Sequence, residues 1–169
     1  MEQYGPALRF LGVFVGLYLL LNTFYGLWIQ SYYPLVDPIT LWVAEQTTFL
    51  LSYFGQEFTA LPESNSPNVA LWMKDELIVL VYEGCNGINV VIVYLVFLVA
   101  YKGEFLRLLK FVLGGIGLIH LLNLIRVGLL AEVALFYPDY LYFFHKFFFT
   151  GFIYAVVFAL WFLWVKRRN

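Results

Sequence analysis

Cys85, Arg126 and His145 are the residues of this chain best suited to covalent chemistry, and all three are costly to place in lipid. Cys85 is the only cysteine and lies in YEGCNGINVV, just as a hydrophobic run begins. Arg126 lies in LLNLIRVGLL near the far end of the next run, and His145 opens the last one in FFHKFFFTGF. A cysteine attacks as its thiolate, and at an ordinary pKa of about 8.5 it needs help at neutral pH. A helix N-terminus just after Cys85 would favour the anion. His145 or Arg126 would add positive charge, or His145 would act as a base. Arg126 keeps its proton at working pH, so it is not the base; its rigid donors suit a developing oxyanion or a substrate carboxylate. The chemistry these types point to is cysteine acyl transfer, with Cys85 as nucleophile, His145 as general acid/base and Arg126 as electrostatic stabiliser.

Each residue also has a structural reading. A lone cysteine in an apolar protein is usually a small packing group. His145, next to Lys146, fits an anchor at the lipid boundary, and Arg126 can snorkel to headgroups or pair with Glu132. Weaker candidates surround them. Glu83 is a solvated strand-end charge or a substrate contact, and Asn86 is a cap for the helix that follows. Gly84 and Gly87 flank the Cys85-Asn86 pair and permit a sharp strand-to-helix change with close approach of a substrate. Asn123 lies one turn before Arg126, placed to hydrogen-bond the guanidinium or a neighbouring helix. His120, about 15 Å above Lys110 at helical rise, reads as a packing residue. Gly114, Gly115 and Gly117 read as points of close helix contact.

The elements that would carry these groups follow from composition and hydropathy. Of 169 residues, 63% are hydrophobic and only 12% charged, so lipid is the solvent for most of the chain. The 21% aromatic share, concentrated near the ends of apolar runs, fits the lipid–water boundary. A single cysteine excludes an intrachain disulfide and a multi-cysteine metal site. No zinc-spaced Cys/His cluster and no phosphate-binding glycine loop occur, so no metal, cofactor or nucleic-acid partner is expected. The chain reads as one integral membrane domain over 1–169, all-α, with about four transmembrane helices at 8–29, 86–101, 111–136 and 143–165. The first is too long for a typical signal-peptide core and reads as a retained anchor. The second is short and must borrow length from its flanks.

Charge orients the bundle. Arg9, Lys102, Arg107, Lys110, Lys166, Arg167 and Arg168 lie on one side, against Glu2 and Glu104. The segment 31–84 carries Asp37, Glu45, Glu57, Glu63, Asp75, Glu76 and Glu83 with Lys74 as its single basic residue. By the positive-inside rule both termini and the 102–110 loop are cytoplasmic and 31–84 is extracytoplasmic. Arg126 then lies about 24 Å up from Lys110 at helical rise, so three helices deliver the three groups to one level at the outer face. Within 31–84, the stretch 41–54 is apolar but short, an interfacial or re-entrant helix. VALWM and LIVLVY around KDE predict a small β-hairpin whose second strand feeds into Cys85.

The segments VYEGCNGINV, NLIRVGLL and HKFFFTGF resemble the cysteine, arginine and histidine motifs of the exosortase/archaeosortase family of prokaryotic membrane transpeptidases, in that order and at span ends. The resemblance covers 77 to the C-terminus. The short chain and the CNG form of the motif are most similar to the compact F-type exosortase-like proteins of Gram-negative bacteria. Many relatives have serine where this chain has Asn86, and many carry further N-terminal spans. The resemblance implies a bacterial cytoplasmic (inner) membrane enzyme with Cys85, Arg126 and His145 catalytic. Glu83, Asn86, Gly87 and Asn123 would support them or touch substrate. The substrate would be an exported protein with a C-terminal sorting signal: a short motif, a hydrophobic helix and a basic end. Cys85 would cleave before that helix and hold the protein as a thioester for an acceptor nucleophile, a lipid or cell-envelope amine. The rival reading is a non-enzymatic membrane assembly or docking protein with Arg126 as a structural pin; a small channel is less attractive, with only Arg126 and His120 to line a path.

Overall fold

The computed structural model describes residues 4–101 and 103–166. Glu2, Lys102, Arg167 and Arg168, used above for orientation, lie outside the described residues. Helix α1 (Gly5–Gln30) starts with a proline in its first turn, where the missing N–H costs nothing, and buries none of its side chains fully. It leans on α3 (Ile88–Tyr101) through Phe10, which meets Phe97 and Tyr101 edge-on.

Helix α2 (Pro38–Ser52) begins three residues earlier than the predicted 41–54 because Asp37 caps it. The buried Asp37 carboxylate accepts from the Ile39 and Thr40 amides at 3.0 and 2.9 Å. Its buried face, Thr40, Val43, Ala44, Thr47 and Leu51, keeps helical spacing and packs on α4 (Phe105–Phe136).

The predicted hairpin is a three-stranded antiparallel meander: β1 (Phe58–Pro62), β2 (Val69–Met73) and β3 (Glu76–Val81). Lys74 and Asp75, both at positive φ, form the two-residue turn that closes Met73 against Glu76. The strand missing from the sequence-based expectation is FTALP, a five-residue run ending in proline. Proline is tolerated there because β1 is an edge strand. A 3₁₀ turn, Glu83–Cys85, joins β3 to α3.

Three helices are long and apolar enough to cross a membrane: α1, the 32-residue α4, and the 29-residue α5 (Pro138–Lys166). The protein is a multi-pass membrane protein. The predicted second span is the 14-residue α3, about 21 Å long against a hydrocarbon core of about 30 Å, so it falls outside that class. Both α4 and α5 start earlier than predicted, and α5 contains a π-helical stretch, Phe144–Phe148. There Thr150 Oγ1 donates to the His145 carbonyl at 2.9 Å.

Two cores result. One joins α2, the sheet and Cys85 to Leu124, Val127 and Ala131 of α4. The other joins Tyr94 and Leu98 of α3, Ile119 of α4 and Ile153, Val157 and Trp164 of α5. Of the three glycines predicted to allow close contact, only Gly115 does so, lying directly under the Tyr94 ring; Gly114 and Gly117 face open space.

Candidate active site

Cys85 ends the 3₁₀ turn, held by its own amide donating to the Tyr82 carbonyl at 2.8 Å. Its side chain is buried, and its Sγ lies 3.5 Å from His145 Nε2, sixty residues away in sequence. That is within reach of a thiol–imidazole hydrogen bond, the nucleophile–base geometry of covalent catalysis. The π-helical stretch carries His145 while the adjacent Lys146 turns away to the Tyr142 hydroxyl at 2.6 Å. An anchoring role at the boundary therefore fits Lys146 better than His145.

On α4, Asn123, Arg126, Val127 and Leu130 share one face by their spacing. Asn123 Nδ2 donates to the Cys85 carbonyl at 2.8 Å, so Asn123 bonds the cysteine's own backbone rather than the guanidinium. Its Oδ1 is buried without a partner, as is Arg126 Nε. Arg126 makes no ion pair with Glu132, which lies six residues on and around the helix. Only 8% exposed, Arg126 does not reach outward as a snorkelling side chain would.

Asn86 is buried and does cap α3, accepting from the Ile88 amide at 3.0 Å. Its Nδ2 donates to Tyr25 at 2.7 Å and Thr40 at 3.1 Å, which ties the turn to α1 and α2. Gly87 has φ +83°, and a Cβ there would sit 3.1 Å from Asn123 Cγ. Glu83, half-buried, lines a separate cavity together with Asp37 and Gln30. His120 is not drawn in: it hydrogen-bonds Gln46 at 2.8 Å and stacks on Trp42.

Burial pushes the Cys85 thiol pKa up, while the Arg126 guanidinium and hydrogen bonds from Tyr82 pull it down. Burial wins, so the resting thiol is neutral and needs a base. Tyr82 was not among the residues singled out from sequence. It helps hold the thiol pKa down, and its ring centroid lies 6.1 Å from that of His145. The signal was its position three residues before Cys85, where a 3₁₀ turn returns a side chain to the same side. Gly84 must lack a Cβ because the Tyr82 ring fills that space. Tyr82, Cys85, His145, Val127 and Leu130 line an apolar cavity of about 310 Å³.

This arrangement spans the region from the first helix to the last, and so does the match to known proteins. The profile described as Transmembrane exosortase (Exosortase_EpsH) matches residues 5–167. The chain belongs to the transmembrane exosortase family. No curated protein and no solved structure matches it. Exosortases are membrane transpeptidases involved in protein sorting, and this exosortase presents its only cysteine beside an imidazole at a cavity.

Proposed function

We propose that this exosortase cleaves the C-terminal sorting tail of exported proteins through a thioester on Cys85 and passes them to an acceptor amine, or to water. The observation that carries this is the 3.5 Å approach of Cys85 Sγ to His145 Nε2 at the mouth of a cavity. The thiol gives its proton to His145, and the thiolate attacks the scissile carbonyl carbon. Charge develops on the carbonyl oxygen, where the buried Arg126, with an unpartnered Nε, supplies a donor. As the C–N bond breaks, His145 returns the proton to the departing tail nitrogen, leaving the thioester. The acceptor then attacks, loses its proton to His145 and releases Cys85. Asn123 and Asn86 hold the turn in place.

Four passes, with α3 as the short one, put both termini in the cytoplasm and the thiol at the extracytoplasmic face of the bacterial inner membrane. Support comes from Arg9, Arg107, Lys110 and Lys166 on one side and the acidic segment between α1 and α3 on the other. Co-expression with a tail-bearing exported protein tests the reading by intact mass. Wild type should yield a shortened product and a hydroxylamine-sensitive adduct on Cys85, and Cys85→Ala neither. Processing by Cys85→Ala at the wild-type rate would refute it.

A further inference from the structure

Strand β3 is an edge strand of an unusual kind. The sheet order is β1-β2-β3, so one side of β3 pairs with β2 and the other pairs with no strand. Among the described residues, no backbone hydrogen bond leaves Glu76–Val81 except to β2. Proteins usually blunt such edges with charge or proline, because unpaired amides and carbonyls are a template for another chain. The opposite edge follows that rule: β1 ends in Pro62, is flanked by Glu57 and Glu63, and packs against α2. After Glu76, β3 carries neither charge nor proline; it packs against α4, but among the described residues no strand and no backbone hydrogen bond takes up its outer edge. LIVLVY is uncharged, and Leu77, Leu80 and Tyr82 are 44%, 38% and 39% exposed.

This open edge leads to the thiol. Val79, Leu80, Val81 and Tyr82 form one wall of the 310 Å³ cavity that also holds Cys85 and His145. Four residues after β3 ends, the chain reaches Cys85 and then enters α3. A peptide paired along β3 is therefore delivered to Sγ by the strand's own direction, and its alternate side chains enter the cavity.

We infer that β3 is the docking strand for the substrate: the extended segment preceding the scissile bond adds to its free edge as a fourth strand. This rests on the tail-cleaving function proposed above. Because the tail continues from cut site to apolar helix, the added strand runs parallel to β3, and its helix follows α3 into the bilayer. The enzyme's own strand-turn-helix, 76–101, is the template on which the same sequence of elements in the tail is laid. Main-chain hydrogen bonds supply affinity that is tolerant of sequence, and the apolar cavity supplies selectivity for one side chain.

The test uses the detergent-solubilised full chain and a four-residue acetylated Val/Ala peptide chloromethyl ketone, whose chloride Cys85 displaces; alkylation is read by intact mass. Two analogues carry N-methyl groups on alternate amides, one on the odd and one on the even positions. Only alternate amides of a strand face its neighbour. One analogue should therefore label about tenfold more slowly than the parent, the size expected for two lost backbone hydrogen bonds, and the other at close to the parent rate. Equal rates for all three peptides, or equal slowing of both analogues, would overturn strand addition. Iodoacetamide, too small to pair, reports the thiol separately. If it labels Cys85 normally while the peptides show no alternation, only the docking strand is wrong. If the thiol resists every reagent, the cysteine mechanism itself fails and this inference falls with it.

Discussion

Helix α4 passes through two packed regions that differ in what they tolerate. Its C-terminal half meets α2, the sheet and the Cys85 turn, where Asp37, Thr40, Thr47, Asn86, Asn123 and Arg126 are all buried. Its N-terminal half meets α3 and α5 through Tyr94, Leu98, Ile153, Val157 and Trp164. The first region also holds the irregular backbone: the 3₁₀ turn, Gly87 at positive φ, and the π-helical stretch that carries His145. The second is regular helix on helix, and its orphaned polar atoms are two indole N–H groups, on Trp161 and Trp164. A buried guanidinium donor without a partner costs more than a neutral indole N–H. The protein carries that cost in the region that also holds the thiol.

If the regions divide chemistry from stability, substitutions should separate the two. His145→Ala should slow tail processing by about 10²- to 10⁴-fold, the usual worth of a general acid/base, without changing thermal unfolding in detergent. Trp164→Ala should do the reverse, destabilising by about 3 kcal/mol in an unfolding titration while turnover per folded molecule holds. A Trp164→Ala enzyme that is stable but inactive would break the comparison.

Smaller effects sharpen it. Gly115→Ala should cost about 1–3 kcal/mol, because its methyl group meets the Tyr94 ring, whereas Gly114→Ala and Gly117→Ala should cost nothing measurable. Asn86→Ala should remove about 1 kcal/mol through loss of the α3 cap, read by the same titration. The smallest shift concerns pH. Because Arg126 holds the Cys85 pKa down against burial, Arg126→Ala should move the pH profile of iodoacetamide alkylation to higher pH. Arg126→Lys should stay near wild type, since the charge remains. A downward move in Arg126→Ala would show that the guanidinium does not act on the thiol.

Much of the fold was legible because its signals are local. Long apolar runs marked α1, α4 and α5, and LWVAEQTTFLLSYF marked α2. What failed did so for identifiable reasons. FTALP was passed over because Ala and Pro are poor strand formers, and its pairing with β2 is a tertiary choice. The second span was read as short with Asn86 as its cap, and the 14-residue α3 that Asn86 caps starts two residues later than the predicted 86–101. The meeting of Cys85 with His145 followed from topology, whereas Tyr82 was hidden in an ordinary strand-end position.

Residue types, their order and their hydropathy determined that this is a membrane protein with one thiol, one deep guanidinium and a histidine near the start of the last apolar run. These are properties of side chains and of short windows, so they survive without knowledge of neighbours. Only the tertiary structure decided that Asn123 bonds the Cys85 carbonyl, that Lys146 turns out while His145 turns in, and that β3 is left with an open edge beside the thiol. Each of those depends on which helix face or strand edge is already taken by another part of the chain. Occupancy of that kind is set by packing in three dimensions and leaves no period in the sequence.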